Sequence, residues 1–197
     1  AVQQLPSIRI SDSIRELNQE FLIENPVLWS VDNPYLYKAV TCIYTGKELT
    51  DIYETNFGIR YFSFDAEKGF FLNGEPLTIQ GACNHHDLGA LGAAVNIRAM
   101  ERQLEMLKEM GCNAIRTAHN PPAPELLDLC DRMGFLVIDE AFDVWSRRKV
   151  IKDYHTDWAE WHARDLSDMI LRDRNHPSVI MWSIGNEIPE QFDSTGI

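Results

Sequence analysis

The stretch Gly134-Phe135-Leu136-Val137-Ile138-Asp139-Glu140 sets the frame for the whole chain. Phe135–Asp139 is a short apolar run that begins after a glycine and closes on acids, the pattern of a buried strand. Just before it, Pro124–Met133 predicts a helix, opened by a proline pair and stopped by Gly134. Just after it, Trp158, Trp161, Leu166, Met169 and Ile170 mark a long helix that ends before Asn175-His176-Pro177. One step further out lie two more strands, Asn113–Ala118 and Val179–Ile184. Further upstream, Ile97, Met100, Leu104 and Leu107 recur at helical spacing before Gly111, and Thr78–Asn84 predicts a first strand. Strands alternating with helices imply a parallel sheet with helices outside it. A doubly wound sheet would carry a Gly-rich turn after its first strand, and Gly89 and Gly92 do not form GxGxxG. A (β/α)8 barrel takes ~250 residues. Four strands in about half that length predict the first half of such a barrel. The fold class is α/β, a partial (β/α)8 TIM barrel of about four βα units.

Residues 1–65 follow a different period. Short strands are expected at Ser7–Ile10 and Glu20–Ile23, and longer ones at Tyr35–Tyr44 and Ile52–Phe64. Asn25-Pro26, Asn33-Pro34 and Thr45-Gly46-Lys47 supply turns. This segment has the look of the later strands of an antiparallel sandwich; a full immunoglobulin-like one takes ~100 residues. The period changes near residue 66. Phe70-Phe71-Leu72, Asn73-Gly74 and Pro76-Leu77-Thr78-Ile79 then read as a hairpin around a type I′ turn. The expected division is 1–65, part of a sandwich, and 66–197, half of a barrel.

With 197 residues, 45% of them hydrophobic, the chain can bury one large core or two small ones. A formal charge of −12 argues against nucleic acid or an anionic membrane surface as partner. No apolar run approaches ~18 residues, the length of a membrane span. The first residues show no signal peptide. A soluble protein is expected, cytoplasmic or exported, with the oligomeric state left open. Cys42, Cys83, Cys112 and Cys130 show no metal spacing and read as free thiols.

Each predicted barrel strand runs into polar residues. The first meets Asn84-His85-His86-Asp87, the second His119-Asn120, the third Asp139-Glu140 with Asp143 beyond, the fourth Asn186-Glu187. In a barrel, catalytic groups lie at these C-terminal ends. Plainer readings stand beside this one. His85 and His86 point to opposite sides of an extended segment and are poor joint metal ligands. His119 alone reads equally as a capping histidine. Of Asp139 and Glu140, at most one faces a pocket. Arg116, inside an apolar strand, needs a carboxylate partner, and an acid at the barrel mouth is the natural one. Trp145 and Trp182 read either as core or as walls of a ligand site. His155 and His162 read as solvent-exposed.

Taken together, Ile115-Arg116-Thr117-Ala118-His119-Asn120-Pro121, Asp139-Glu140-Ala141 and Trp182-Ser183-Ile184-Gly185-Asn186-Glu187 resemble glycoside hydrolase family 2, in the form of its β-galactosidases. The motifs stand in family order at family spacing. The resemblance implies a retaining mechanism with two carboxylates. Glu187 matches the acid/base residue and Asn186 the asparagine that binds the sugar 2-hydroxyl. His119 and His86 match sugar-contacting histidines, and Arg116 the arginine that orients the nucleophile. Asp143 falls where some members carry a magnesium-binding acid. Those members have a histidine two residues on, where this chain has Trp145; no metal or other cofactor is expected, and Trp145 instead walls the sugar pocket.

Retaining hydrolysis needs two carboxyl groups ~5 Å apart, and the family's nucleophile belongs to a later strand. The 197 residues alone are therefore expected to be inactive, and to associate through open sheet edges. The expected activity of a full-length parent is removal of terminal β-D-galactosyl residues. β-Glucuronidase, β-mannosidase or a non-catalytic sugar-binding module are the alternatives.

Overall fold

The structure, a computed structural model, describes residues 18–192. β1 (Tyr37–Thr45) and β2 (Glu48–Phe57) form an antiparallel hairpin turned at Gly46. Its facing side chains include Tyr37 stacked on Phe57 at 5.6 Å. Most of both strands is exposed, including Val40, Ile43, Tyr44, Ile52 and Tyr53. β3 (Phe62–Asp65), β4 (Gly69–Leu72) and β5 (Glu75–Pro76) form a second antiparallel sheet. Asn73 and Gly74 both take positive φ, 55° and 86°, as a type I′ turn requires.

β6 (Gly81–Asn84), β7 (Ala114–Thr117), β8 (Leu136–Glu140) and β9 (Val179–Ser183) pair in parallel, in chain order. The crossovers carry α1 (Ile97–Glu109), α2 (Pro124–Met133) and α3 (His155–Asp173). Asn96 caps α1, its side chain accepting from Ala99 N at 3.0 Å, a contact that stabilises a helix by about 1 kcal/mol. α2 opens on Pro124 and stops at Gly134, which is left-handed.

Three buried clusters hold the sheet, the third joining Ala141 and Phe142, past the end of β8, to Met169 of α3. On the helical side, Leu104 of α1 and Leu127 and Cys130 of α2 pack with Ile115, Phe135 and Val137, all of them buried. Full burial of each large side chain stabilises the fold by roughly 1.5–3 kcal/mol. At the N-terminal end of the sheet, Trp29 and Val31 join Phe70 and Leu72 against Ala114, Leu136 and Ile180. Trp29 Nε1 donates to Asp131 O at 2.8 Å, tying this plug to α2.

Three expectations change. Glu20–Ile23 forms no strand; no neighbouring strand among the described residues pairs with it, and Leu22 is exposed. Ile52–Phe64 is not one strand. The chain breaks between β2 and β3, where Gly58 packs on Pro177 and Arg60 donates to Pro177 O at 3.0 Å and Val179 O at 2.7 Å. The first parallel strand starts at Gly81 rather than Thr78, because Asn113 takes up Thr78 O and Gln80 N with its side chain. Ser7–Ile10 lies outside the described residues. Residues 65–68 form the β3–β4 turn, with Asp65 Oδ1 accepting from Glu67 N and Lys68 N. All four cysteines are free thiols. No helix among the described residues is long and apolar enough to cross a membrane.

Candidate active site

Parallel register places Cys83, Arg116 and Ile138 side by side, with Met181 next across a bulge. Two residues further along β8, on the same face, comes Glu140. Its side chain is 1% exposed, and both oxygens are saturated. Arg116 Nε donates to Oε2 at 2.9 Å, and Nη2 reaches both oxygens at 2.8–2.9 Å. Ser183 Oγ donates to Oε2 at 2.6 Å, and His119 Nδ1 lies 2.8 Å from Oε1. Burial opposes ionisation of Glu140, but these donors outweigh it and hold the carboxyl below its ordinary range. Burial likewise works against the Arg116 charge, and Glu140 more than restores it.

Arg116 Nη2 also donates to Asn186 Oδ1 at 2.9 Å and lies 3.3 Å from His119 Nδ1. Asn186 Nδ2 donates to Asp143 Oδ1 at 3.0 Å. Both ends of the Asn186 amide are thus assigned, and one of its two N–H donors is left for a ligand. An Nδ1 facing a carboxylate carries the proton, so neutral His119 keeps Nε2 as an acceptor. The peptide Ala118–His119 is cis.

Glu187 follows directly. Its side chain is 82% exposed, and its backbone is left-handed with φ 50°. A non-glycine residue there costs about 1–2 kcal/mol, a strain that the surrounding turn must offset. Gly185 makes the turn possible. A Cβ on it would come within 2.5 Å of Ile188 Cγ1 and 2.9 Å of Trp145 Nε1. Asn186 N donates to Phe142 O at 2.9 Å and locks the turn to the β8 end. Trp145 donates to Ile184 O at 2.8 Å and stacks on Trp158 at 5.3 Å, as a wall beside the Glu187 turn.

Arg116, His119, Asn186, Asp143 and Glu187 therefore meet at one rim, linked by hydrogen bonds or by their shared contact with Lys149. At the β6 end it is His85 whose ring meets His119 edge-on, at 5.2 Å. His86 follows on the same loop, its pKa lowered by desolvation and by His85. The sequence placed Glu140 at a strand end without deciding between it and Asp139, and it did not mark Ser183 or Lys149 as members of this cluster. Asp139 turns to the opposite face, buried beside Asp173. Burial, then the Asp173 charge, push it up to about 7. His162 packs on Trp158 at 4.5 Å and His155 bonds Asp153, so neither is simply solvated. Asp128, Asp131 and His176 bring three ligand-type atoms within 4.8 Å of one another at the far end of the sheet. Asp131 is already taken there by His176 and Ser178 N, a structural staple.

Residues 65–195 match the family model described as glycosyl hydrolases family 2, TIM barrel domain, and residues 3–60 match that of glycosyl hydrolases family 2. The chain belongs to glycoside hydrolase family 2. Its four parallel strands are part of the family's TIM barrel, the β4–β5 hairpin lies within that same match, and the β1–β2 hairpin falls in the preceding sandwich domain. The β-galactosidase BoGH2A of Bacteroides ovatus is 63% identical over 174 residues, which are 88% of this chain and 20% of that one. A family 2 crystal structure from Bacteroides cellulosilyticus superposes with TM-score 0.82 at 50% identity, covering 86% of this chain and 22% of that one. The Parabacteroides merdae β-glucuronidase superposes with TM-score 0.72 at 35% identity, covering 84% and 20%. The chain spans about a fifth of the length of these relatives.

Proposed function

We propose that these residues are the acid/base half of the catalytic centre of a longer, retaining exo-β-glycosidase that releases terminal β-D-galactosyl residues. The observation that carries the reading is the Glu187 turn. A solvent-facing carboxylate sits in a strained backbone conformation, immediately after an asparagine whose amide is fixed at both ends. Glu187 protonates the leaving oxygen in the first step and activates water in the second. Asn186 offers its remaining N–H to the sugar, and His119 its Nε2. Glu140 is closed off from substrate by its own partners, and it is a positioning residue for Arg116 and His119. The attacking carboxylate comes from outside these 197 residues, with Arg116 beside it. The division into a sandwich part, 1–65, and a barrel part, 66–197, belongs to the same proposal.

The galactoside preference draws on the 63% identical relative that bears the β-galactosidase name. The test is a panel of nitrophenyl β-glycosides on the full-length protein. Fastest turnover of the galactoside, with retention of anomeric configuration, is the expected result. Preference for the glucuronide or the mannoside would move the substrate and keep the mechanism. Binding without turnover of any of them would overturn the enzymatic reading.

A further inference from the structure

Lys149 lies in the loop between β8 and α3, and the mechanism above gives it no part. Its side chain is only 25% exposed. The ammonium donates to Asp143 Oδ1 at 2.9 Å and to the backbone O of Asn186 at 2.8 Å, and it lies 3.9 Å from Glu187 Oε2. Its backbone is pinned as well. Asp153 Oδ2 accepts from Lys149 N and from Val150 N, both at 2.8 Å. Three oxygens from two strand ends thus converge on one cation carried by a fixed loop.

We propose that Lys149 is a positioning residue that acts as a built-in counter-cation, holding Asp143, the Asn186 carbonyl and the Glu187 carboxylate in register, so that the site works without a divalent metal at that point. The inference rests on Glu187 being the acid/base group. A magnesium ion takes six oxygens at about 2.0–2.1 Å, and here the Asp143 oxygen and the Asn186 carbonyl are already bound to an ammonium. Trp145 brings no ligand atom, its only polar hydrogen being spent on Ile184 O. The magnesium that the family resemblance attaches to Asp143 does not fit this donor set. The ammonium has work to do in its place. Glu187 is the most solvent-facing group of the cluster, and a charge at 3.9 Å narrows the positions its carboxylate visits. Asp143 Oδ1 in turn accepts from Asn186 Nδ2 at 3.0 Å, so the ammonium and the amide share one carboxylate oxygen.

The experiment uses the full-length enzyme and its best nitrophenyl glycoside, with EDTA, with magnesium chloride and with neither, for the unmodified protein and for Lys149→Met and Lys149→Arg. The unmodified enzyme is expected to keep its rate in all three conditions. Lys149→Met is expected to lose kcat about tenfold or more with a much smaller change in KM, and Lys149→Arg to recover most of it. Loss of activity in EDTA with recovery in magnesium would overturn the inference, as would a Lys149→Met kcat within about twofold of the unmodified enzyme. The chelation arm needs no variant, so it decides even if Lys149→Met fails to fold. A Glu187→Gln enzyme of undiminished rate, by contrast, would sink the catalytic reading itself.

Discussion

Glu140 ends β8 and Glu187 sits in the turn just past its neighbour β9, yet their surroundings are opposite. Glu140 is sealed, charged and saturated by Arg116, His119 and Ser183. Glu187 is open to solvent on a strained turn, with the Lys149 cation nearby and, among the described residues, no hydrogen bond holding its carboxylate. Removing one partner of a buried ion pair is strongly destabilising, because the other charge is left uncompensated. Removing an exposed carboxylate is close to neutral for the fold. The contrast separates a group that builds the site from one that, in the proposed mechanism, meets the substrate. Chemical type alone does not separate them, since both are glutamates at the mouth of the same sheet.

The comparison can be broken first where the effect is largest. If Glu140 were able to attack, the 197-residue chain alone would carry two usable carboxylates. It is expected instead to show no glycosidase turnover, and sedimentation is expected to show association through the exposed β1–β2 hairpin. A monomer with enzyme-like rates would erase the distinction. Next, Glu187→Gln in the full-length enzyme should lower kcat/KM about 10²–10⁴-fold, the usual share of general acid/base catalysis. Its thermal midpoint should hardly move, as calorimetry can verify. Glu140→Ala should do the reverse in emphasis, losing about 3 kcal/mol of stability in a denaturant titration, with activity falling alongside.

The pH dependence of stability sharpens the contrast across the two faces of β8. Asp139, on the face away from the rim, is pushed up to about 7 by burial and then by Asp173. Between its ordinary value and about 7, the folded chain keeps a proton that the unfolded chain releases. Stability therefore falls as pH rises through that window, by at most about 1.4 kcal/mol per pH unit. Asp139→Asn should flatten this slope. Glu140, held low, has the opposite sign: its contribution is present above the unfolded carboxyl pKa and is lost as the pH falls through its lowered value. Melting temperatures would show the two slopes, for the Asp139 variant across about pH 4–7 and for the Glu140 variant below about pH 4.5.

Local signals carried much of this architecture. Helix α2 stands where Pro124 and Gly134 placed it, because proline at the start and a left-handed glycine at the end act within one turn. The Asn73-Gly74 turn is of the same kind. Long-range contacts escaped notice. The break between β2 and β3 exists because Arg60 and Gly58 dock on residues 177–179, more than a hundred positions away. At the site, the charge of Arg116 inside an apolar strand announced a missing acid. Only the register of β7 against β8 identifies it as Glu140 rather than Asp139. Likewise His85, not its neighbour, meets His119. Lys149 was illegible because its loop has no period, and its partners come from the ends of two strands.

The most direct measurement concerns the leaving group. Full-length enzyme with Glu187→Ala should be assayed on aryl β-galactosides whose phenols range from strongly to weakly acidic, with and without azide. If Glu187 is the acid/base group, kcat/KM should fall little for the most acidic phenol and by orders of magnitude for the least acidic. Azide should restore turnover of the activated substrate and yield a β-galactosyl azide. A uniform loss across the series, with no azide product, would contradict the assignment and leave Glu187 a structural residue of an exposed turn.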